Sequence, residues 1–312
     1  MTMSTRRHLL SIADLSTDNL MDLVRRSAEY AVKGPPRSTP LRGIVVGVYF
    51  RRTSTRTRTA FSVAAHRLGA DVIAYGPHDL QENTGETVSD TGRVLSSMLD
   101  VLVARTADDP AELRAMAAEG GMAVINAMTS DEHPTQAIAD LSTLFTLRGS
   151  LDGLRLCYLG EGNNTATALA LAMARVPGAV LQLFTPRGYG LPEATLAAAR
   201  RAAIASGALI EEEHDLTRLP DRADIVYTTR WQTTGTVKPD PHWRRDFLPF
   251  RVTRDILDRM SGARFMHDLP AHRGEEVDGD VLDGDRSIAF VQAQHKLYSA
   301  MAVLDWTAGG TR

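Results

Sequence analysis

Five consecutive residues, Ser54-Thr55-Arg56-Thr57-Arg58, bring hydroxyls and guanidinium groups together in one short run. Hydroxyls donate single hydrogen bonds and a guanidinium offers a planar fork, a combination that suits the oxygens of a phosphate. On one side stands Ile44-Val45-Val46-Gly47-Val48-Tyr49-Phe50, which has strand length and strand residues. On the other, Thr59-Ala60-Phe61-Ser62-Val63-Ala64-Ala65 repeats its apolar positions at helical spacing. A strand that hands over to a helix here presents free backbone N–H groups and the positive end of the helix dipole to the same ligand. An exposed basic turn is the plainer alternative, and the position between strand and helix weighs against it. Neither G-x-x-x-x-G-K-[ST] nor G-x-G-x-x-G occurs where a nucleotide site needs it. The expected ligand is therefore a small phosphate ester or anhydride, not a nucleotide.

The elements that must hold this run alternate along the chain. A helix over 17–32 opens at Ser16 or Thr17 and ends before Gly34-Pro35-Pro36. Strands are expected at 44–50, 71–75, 101–104 and 123–126, with helices at 59–68, 87–98 and 110–119 between them. A helix over 133–147 reads as the bridge to a second alternation. That alternation has strands at 155–159, 180–184 and 224–227 and one ending near Phe265-Met266, with helices at 165–175, 192–206 and 253–260. A last helix covers 287–304. The pattern predicts an α/β protein of two domains, each a parallel sheet with helices on both faces. The irregular stretches 77–85 and 233–250 exceed ordinary loop length and are either substrate-closing loops or surface insertions.

Bulk properties narrow the function. With 312 residues the chain is long enough for two cores, and an enzyme with a cleft is the natural expectation. A net charge of −3, from 35 basic and 38 acidic residues, argues against a general nucleic-acid or acidic-membrane surface. The single cysteine, Cys157, lies in an apolar run, which excludes a disulfide framework and fits a reducing compartment. Residues 1–10 lack the apolar core of a signal peptide, and no 18-residue apolar stretch occurs. A cytoplasmic protein is expected.

In open parallel sheets ligands lie beyond the carboxyl ends of the strands, so the strand ends are where the active site is sought. They offer Ser54 to Thr57, Arg105, His133-Pro134-Thr135-Gln136, Gly160-Glu161-Gly162-Asn163-Asn164, Thr228-Thr229-Arg230-Trp231-Gln232 and His267-Asp268-Leu269-Pro270. Taken singly each is a weak signal; their order is strong. Together with Gly85-Glu86-Thr87, Asp90-Thr91, Asp140-Leu141 and the continuation Ala271-His272-Arg273-Gly274-Glu275-Glu276-Val277, the chain from Arg42 to Leu304 resembles the aspartate/ornithine carbamoyltransferase family.

The resemblance implies carbamoyl phosphate as donor and a small amine as acceptor, with no metal or organic cofactor, since the donor brings its own leaving group. Ser54, Thr55, Arg56 and Thr57 would hold the phosphate. Thr55, Arg105 and His133 would point at the carbonyl oxygen, where each preorganised donor can lower the barrier by about 3 kcal/mol. Gln136 and the backbone carbonyls near Leu269 would bind the carbamoyl NH2. The family also implies a cis Leu269-Pro270 peptide and a homotrimer with shared active sites. The implied division is 1–135 for carbamoyl phosphate, 136–147 as bridging helix, 148–286 for the acceptor, and 287–312 packing back on the first domain.

The acceptor side departs from the family pattern. Ornithine members carry Asp-x-Trp-x-Ser-Met-Gly where this chain reads Thr229-Arg230-Trp231-Gln232-Thr233-Thr234-Gly235, so the ammonium-binding acid is missing. Thr-Arg-x-Gln looks instead like aspartate members, yet their lysine before Gly-Glu is Thr84 here, and their arginine in the second-domain glycine turn is absent. Asn163-Asn164 follows the ornithine pattern. The ornithine His-Cys-Leu-Pro is His267-Asp268-Leu269-Pro270, and the C-terminal Asn-Arg is His295-Lys296. Asn164, Arg230, Gln232, Asp268 and Lys296 are the expected acceptor contacts. Asp268 either takes over the ammonium or is a structural acid bonded to Arg273 or a backbone N–H. These changes favour an N-carbamoyltransferase acting on a non-standard amine, such as that of 2,3-diaminopropionate, in specialised biosynthesis. Ornithine carbamoylation to citrulline and a catalytically silent homologue are the alternatives.

Overall fold

The computed structural model describes residues 6–233 and 235–309. The parts of the foregoing expectations that fall on residues 1–5, Thr234, residues 310–312 and the side chains of Glu82 and Asn83 lie outside what is described. The chain forms two compact units, Met1–Thr146 with Gln294–Arg312, and Leu147–Ala293.

In the first unit, α1 (Thr17–Lys33) is capped by Ser16, whose side chain accepts from the Asn19 N–H. Its buried residues Leu20, Leu23, Val24 and Ala28 recur at the spacing of one helix face. The strands β1 (Val45–Phe50), β2 (Asp71–Tyr75), β3 (Val101–Arg105) and β4 (Ala123–Met128) alternate with α2 (Arg56–Leu68), α3 (Val88–Ser96) and α4 (Pro110–Ala118). The sheet is parallel, in the order β2-β1-β3-β4. Strand order therefore reverses between β1 and β3, which opens the crevice outside their carboxyl ends. α5 (Pro134–Arg148) follows β4, and its residues from Pro134 to Leu144 are buried on every side.

The second unit repeats the scheme. β5 (Arg155–Leu159), α6 (Asn164–Met173), β6 (Val180–Phe184), α7 (Glu193–Ser206), β7 (Leu209–Glu213) and β8 (Ile225–Thr228) are followed by α8 (Arg244–Phe247), α9 (Arg254–Arg259), β9 (Arg264–His267) and α10 (Gly279–Leu282). Its parallel sheet runs β7-β6-β5-β8-β9, so the reversal falls between β5 and β8. Leu159, Phe184, Val226, Phe265 and Leu257 lie in its core. The last helix, α11 (Ala289–Gly309), leads from this unit back into the first.

The two-sheet α/β architecture is the one the sequence predicts. β7, absent from the sequence reading, extends the second sheet, and α2 starts at Arg56 where the periodicity placed its first residue at Thr59. That earlier start puts Arg56 and Thr57 in the helix's first turn. No helix among the described residues is long and apolar enough to cross a membrane.

Candidate active site

Three chain segments meet the sheet reversal of the first unit. β1 ends at Phe50, paired in register with Arg105, the last residue of β3. Beyond β1 the chain turns into α2, whose cap residue Thr55 makes no side-chain capping bond. The first turn of a helix turns its N–H groups and the positive end of the dipole toward this end, which suits an anion. Thr57 is buried in that turn, while Ser54 and Arg56 are half-buried. Arg51 and Arg52, just before it, are engaged with Asp108, and Arg51 also with Glu112, so these cations serve the loop.

His133 precedes α5 and is buried. Burial, followed by the nearby cations Lys296 and Arg105, holds its pKa well below the ordinary imidazole value. At neutral pH it is an uncharged imidazole, able to donate one hydrogen bond; its Nδ1 lies 3.3 Å from Thr135 Oγ1. Gln136, one helical step further, donates from Nε2 to Asp140 Oδ1 at 2.7 Å and accepts from the Lys296 ammonium at Oε1. Lys296, expected among the acceptor contacts, is thus buried in the first unit beside the donor-side residues. His295, its neighbour, bonds Ser142 Oγ through Nδ1 at 2.9 Å, and burial pulls its pKa down to about 4. Glu132, before His133, is buried and accepts from Ser11 Oγ and the Ile12 N–H; burial raises its pKa to about 7.

In the second unit the reversal between β5 and β8 is framed by the turn Gly160–Asn163 and the segment after Thr228. Asn163 caps α6, accepting from the Thr165 and Ala166 N–H groups, and its Nδ2 donates to Thr229 Oγ1 at 3.1 Å. Gly162 is required here: a Cβ would stand 2.3 Å from the Gly190 carbonyl carbon and the Leu191 nitrogen. Tyr158, at the inner end of β5, donates to the Glu161 carbonyl at 2.6 Å and lies 3.0 Å from Thr229 Oγ1. Thr229 is therefore a structural hydroxyl that joins β8 to the glycine turn. Asn164 is buried at the start of α6, and Arg230 and Gln232 are half-buried, Gln232 donating to the Thr236 carbonyl.

Asp268 follows β9, and its Oδ2 accepts from Thr165 Oγ1 at 3.0 Å. The proposed partner Arg273 instead forms a fork with Asp283, at 2.8 and 2.7 Å, so Asp268 is not held by it. His267 accepts the Leu269 N–H on Nδ1 at 2.8 Å and directs Nε2 to the buried Glu276 at 3.1 Å. This frame holds Leu269 at a φ of 53°, a left-handed backbone rare for leucine, before the cis Leu269-Pro270 peptide. Such over-determined backbone is where a carbonyl can be aimed at a ligand.

Of the sequence-selected residues, the structure groups Ser54 to Thr57, Arg105, His133, Gln136 and Lys296 in the first unit. Asn164, Arg230, Gln232, Asp268 and Leu269 fall in the second. Sequence reasoning missed Thr165 and Tyr158, and gave Asp140, part of the matching motif, no role of its own. The hydroxyl in the first turn of α6 was the available signal for Thr165, whereas Tyr158 reads as strand core.

Comparison with known proteins adds a second line. A family model described as aspartate/ornithine carbamoyltransferase, carbamoyl-P binding domain, matches residues 7–146, and its Asp/Orn binding domain counterpart matches 152–307. The ornithine carbamoyltransferase of Anoxybacillus flavithermus is 38% identical over 301 residues, covering 96% of this chain and 95% of that protein. Among solved structures, ornithine carbamoyltransferase from Pyrococcus furiosus superposes with a TM-score of 0.89 at 34% identity, covering 97% of each chain. The Gloeobacter violaceus ornithine carbamoyltransferase does so with 0.85 at 36% identity, over 96% of this chain and 98% of that one.

Proposed function

The chain belongs to the aspartate/ornithine carbamoyltransferase family and is a carbamoyltransferase, and from this premise we propose that it transfers the carbamoyl group of carbamoyl phosphate to a primary amine of a diamino acid. The first unit takes the donor and the second the acceptor. The observation that carries this reading is the first turn of α2, with Thr55, Arg56 and Thr57, at the same sheet reversal as Arg105 and the neutral His133. In the reaction the amine lone pair forms the new C–N bond, the C–O bond to phosphate breaks, and phosphate leaves with the electron pair and takes up the proton that the attacking nitrogen releases. Ser54, Thr55, Arg56 and Thr57 hold the phosphate as its charge grows. Thr55, Arg105 and His133 donate to the carbonyl oxygen in the transition state. Gln136, its amide fixed by Lys296 and Asp140, presents the remaining lone pair of Oε1 to the carbamoyl NH2, with the Leu269 carbonyl as the other acceptor.

Ornithine is the acceptor that the names of the relatives favour, ahead of a non-standard amine. The second reading rests on one specific observation: the end of β8 offers Thr229, already bonded to Tyr158 and Asn163, while a carboxylate stands after β9 at Asp268 on Thr165. A relocated carboxylate favours an ammonium at a different distance from Arg230 and Gln232, hence a diamino acid of another length. A panel of ornithine, 2,4-diaminobutyrate, 2,3-diaminopropionate, putrescine and aspartate, read by phosphate release and product mass, decides between them. Ornithine is expected to give the highest kcat/KM. A shorter diamino acid preferred by roughly tenfold or more, with Asp268→Asn raising its KM and sparing the donor's, establishes the second reading. Phosphate release with none of them leaves a silent homologue.

We also propose a homotrimer with shared active sites. β2 is an edge strand that exposes Val72 and Ile73, the kind of unpaired apolar edge that a neighbouring copy covers. Light scattering is expected to give three times the chain mass; a fully active monomer overturns the proposal.

A further inference from the structure

Lys238, in the long segment after β8, is buried although its neighbour Val237 is almost wholly exposed. Its ammonium pairs with Glu161 Oε1 and lies 4.9 Å from the ring centre of Tyr189, 5.0 Å from Phe247 and 5.1 Å from Trp243. The rings themselves interlock: Phe247 stands 4.8 Å from Tyr189, 5.2 Å from Trp243 and 5.6 Å from Trp231. Removing a lysine ammonium from water is costly, and here a carboxylate and three aromatic faces offset that cost together. The result is an aromatic box whose occupant is the chain's own cation.

What the box joins gives it a use. Glu161 belongs to the turn that carries Asn163 and leads into Asn164. Its other oxygen, Oε2, accepts from Thr233 Oγ1 at 3.4 Å. One carboxylate thus anchors Thr233 and Lys238, on either side of the segment that follows Arg230 and Gln232. The Gly162 N–H donates to the Tyr189 carbonyl at 2.8 Å, so the turn and the box share a wall.

We propose that Lys238, clasped by Glu161 inside this box, is a positioning residue for the acceptor, setting the segment of Arg230 and Gln232 against the turn of Asn164. The inference rests on the assignment of the second unit to the acceptor. Lys238 acts through Glu161. Its partners Glu161, Tyr189, Trp243 and Phe247 all belong to the second unit, so its effect is expected on the acceptor and not on the donor.

The test uses the full chain with Lys238→Met, which keeps the aliphatic stem and removes the charge, and Lys238→Arg, which keeps the charge. With the best amine of the panel, Lys238→Met is expected to raise acceptor KM roughly tenfold and to leave donor KM and kcat within about twofold of wild type. Lys238→Arg is expected to stay within about threefold of wild type in acceptor KM. Hydrogen exchange supplies a readout independent of activity: amides between Gly235 and Trp243 are expected to exchange roughly tenfold faster in Lys238→Met. Should that variant fail to fold, Glu161→Gln is expected to show the same pattern. An acceptor KM unchanged in the folded variants overturns the positioning role, as does an equal loss for donor and acceptor. If wild-type protein carbamoylates no amine, the functional reading fails, and unchanged exchange in Lys238→Met then separately overturns the clasp.

Discussion

Arg56→Ala is expected to lose saturation by carbamoyl phosphate while the protein remains as stable as the parent. A guanidinium that grips phosphate with a fork makes two charge-assisted bonds, and losing them removes about 3 kcal/mol or more, roughly a 100-fold rise in donor KM. Arg56 is the first residue of α2 and half-buried, and alanine is the better helix former. A cation at a helix N-terminus also opposes the dipole, so its removal contributes a few tenths of a kcal/mol in the other direction. Thermal unfolding should therefore give an equal or slightly higher midpoint, and calorimetric titration with carbamoyl phosphate little or no heat. Unchanged donor affinity in the variant defeats the phosphate assignment. A lowered melting point with lost affinity makes Arg56 structural.

The anion site at Ser54 to Thr57 is legible in the sequence because its ingredients are local. Hydroxyls and guanidiniums between a strand and a helix announce an anion site wherever the rest of the chain goes. The same holds for the apolar strand runs: 71–75, 155–159 and 180–184 have the bounds their composition suggests, the first of them although it is an exposed edge. β7 shows where local reasoning stops. Leu209-Ile210-Glu211-Glu212-Glu213 carries three successive glutamates and reads as a polar loop. It is a strand because β6 offers it partners, with Gln182 bonding Glu211 across the register and Thr185 bonding Glu212. The site divides in the same way. The residue types at 54–57, 105 and 133 were legible, whereas Lys296 meets Gln136 across 160 positions and Thr165 meets Asp268 across 103. Such pairings depend on the tertiary course of the chain, which is why the bond of Lys296 to Gln136 and that of Thr165 to Asp268 were not legible.

His133→Ala is expected to lower kcat roughly 100- to 1,000-fold, the usual effect of removing one oxyanion donor, without moving the pH dependence of the rate. The unchanged pH dependence follows from the charge around His133. Burial first, then Lys296 and Arg105, keep its pKa well below 6.5, so at pH 7 and above it has no proton left to lose. The acid limb of the profile must then come from the acceptor, whose ammonium has a pKa of about 10.4 when free and attacks only as the amine. Stability has its own pH dependence, and its sign confines the assay. A histidine whose folded pKa lies below its unfolded value binds fewer protons when folded, so His133 and His295 cost stability as pH falls below 6.5. Glu132, raised to about 7, works in the opposite sense, contributing stability at low pH that is lost as pH rises from 4.5 through 7. Between about pH 7.5 and 10 His133 and His295 stay neutral and Glu132 is mostly ionised, so the profile there reports chemistry. Over that range wild type and His133→Ala should give parallel curves that rise about tenfold per pH unit until the amine is deprotonated in the complex. Both should shift together when an acceptor of lower amine pKa is used. A limb present in wild type and absent from His133→Ala would make the histidine the titrating base and overturn its assignment as a neutral donor.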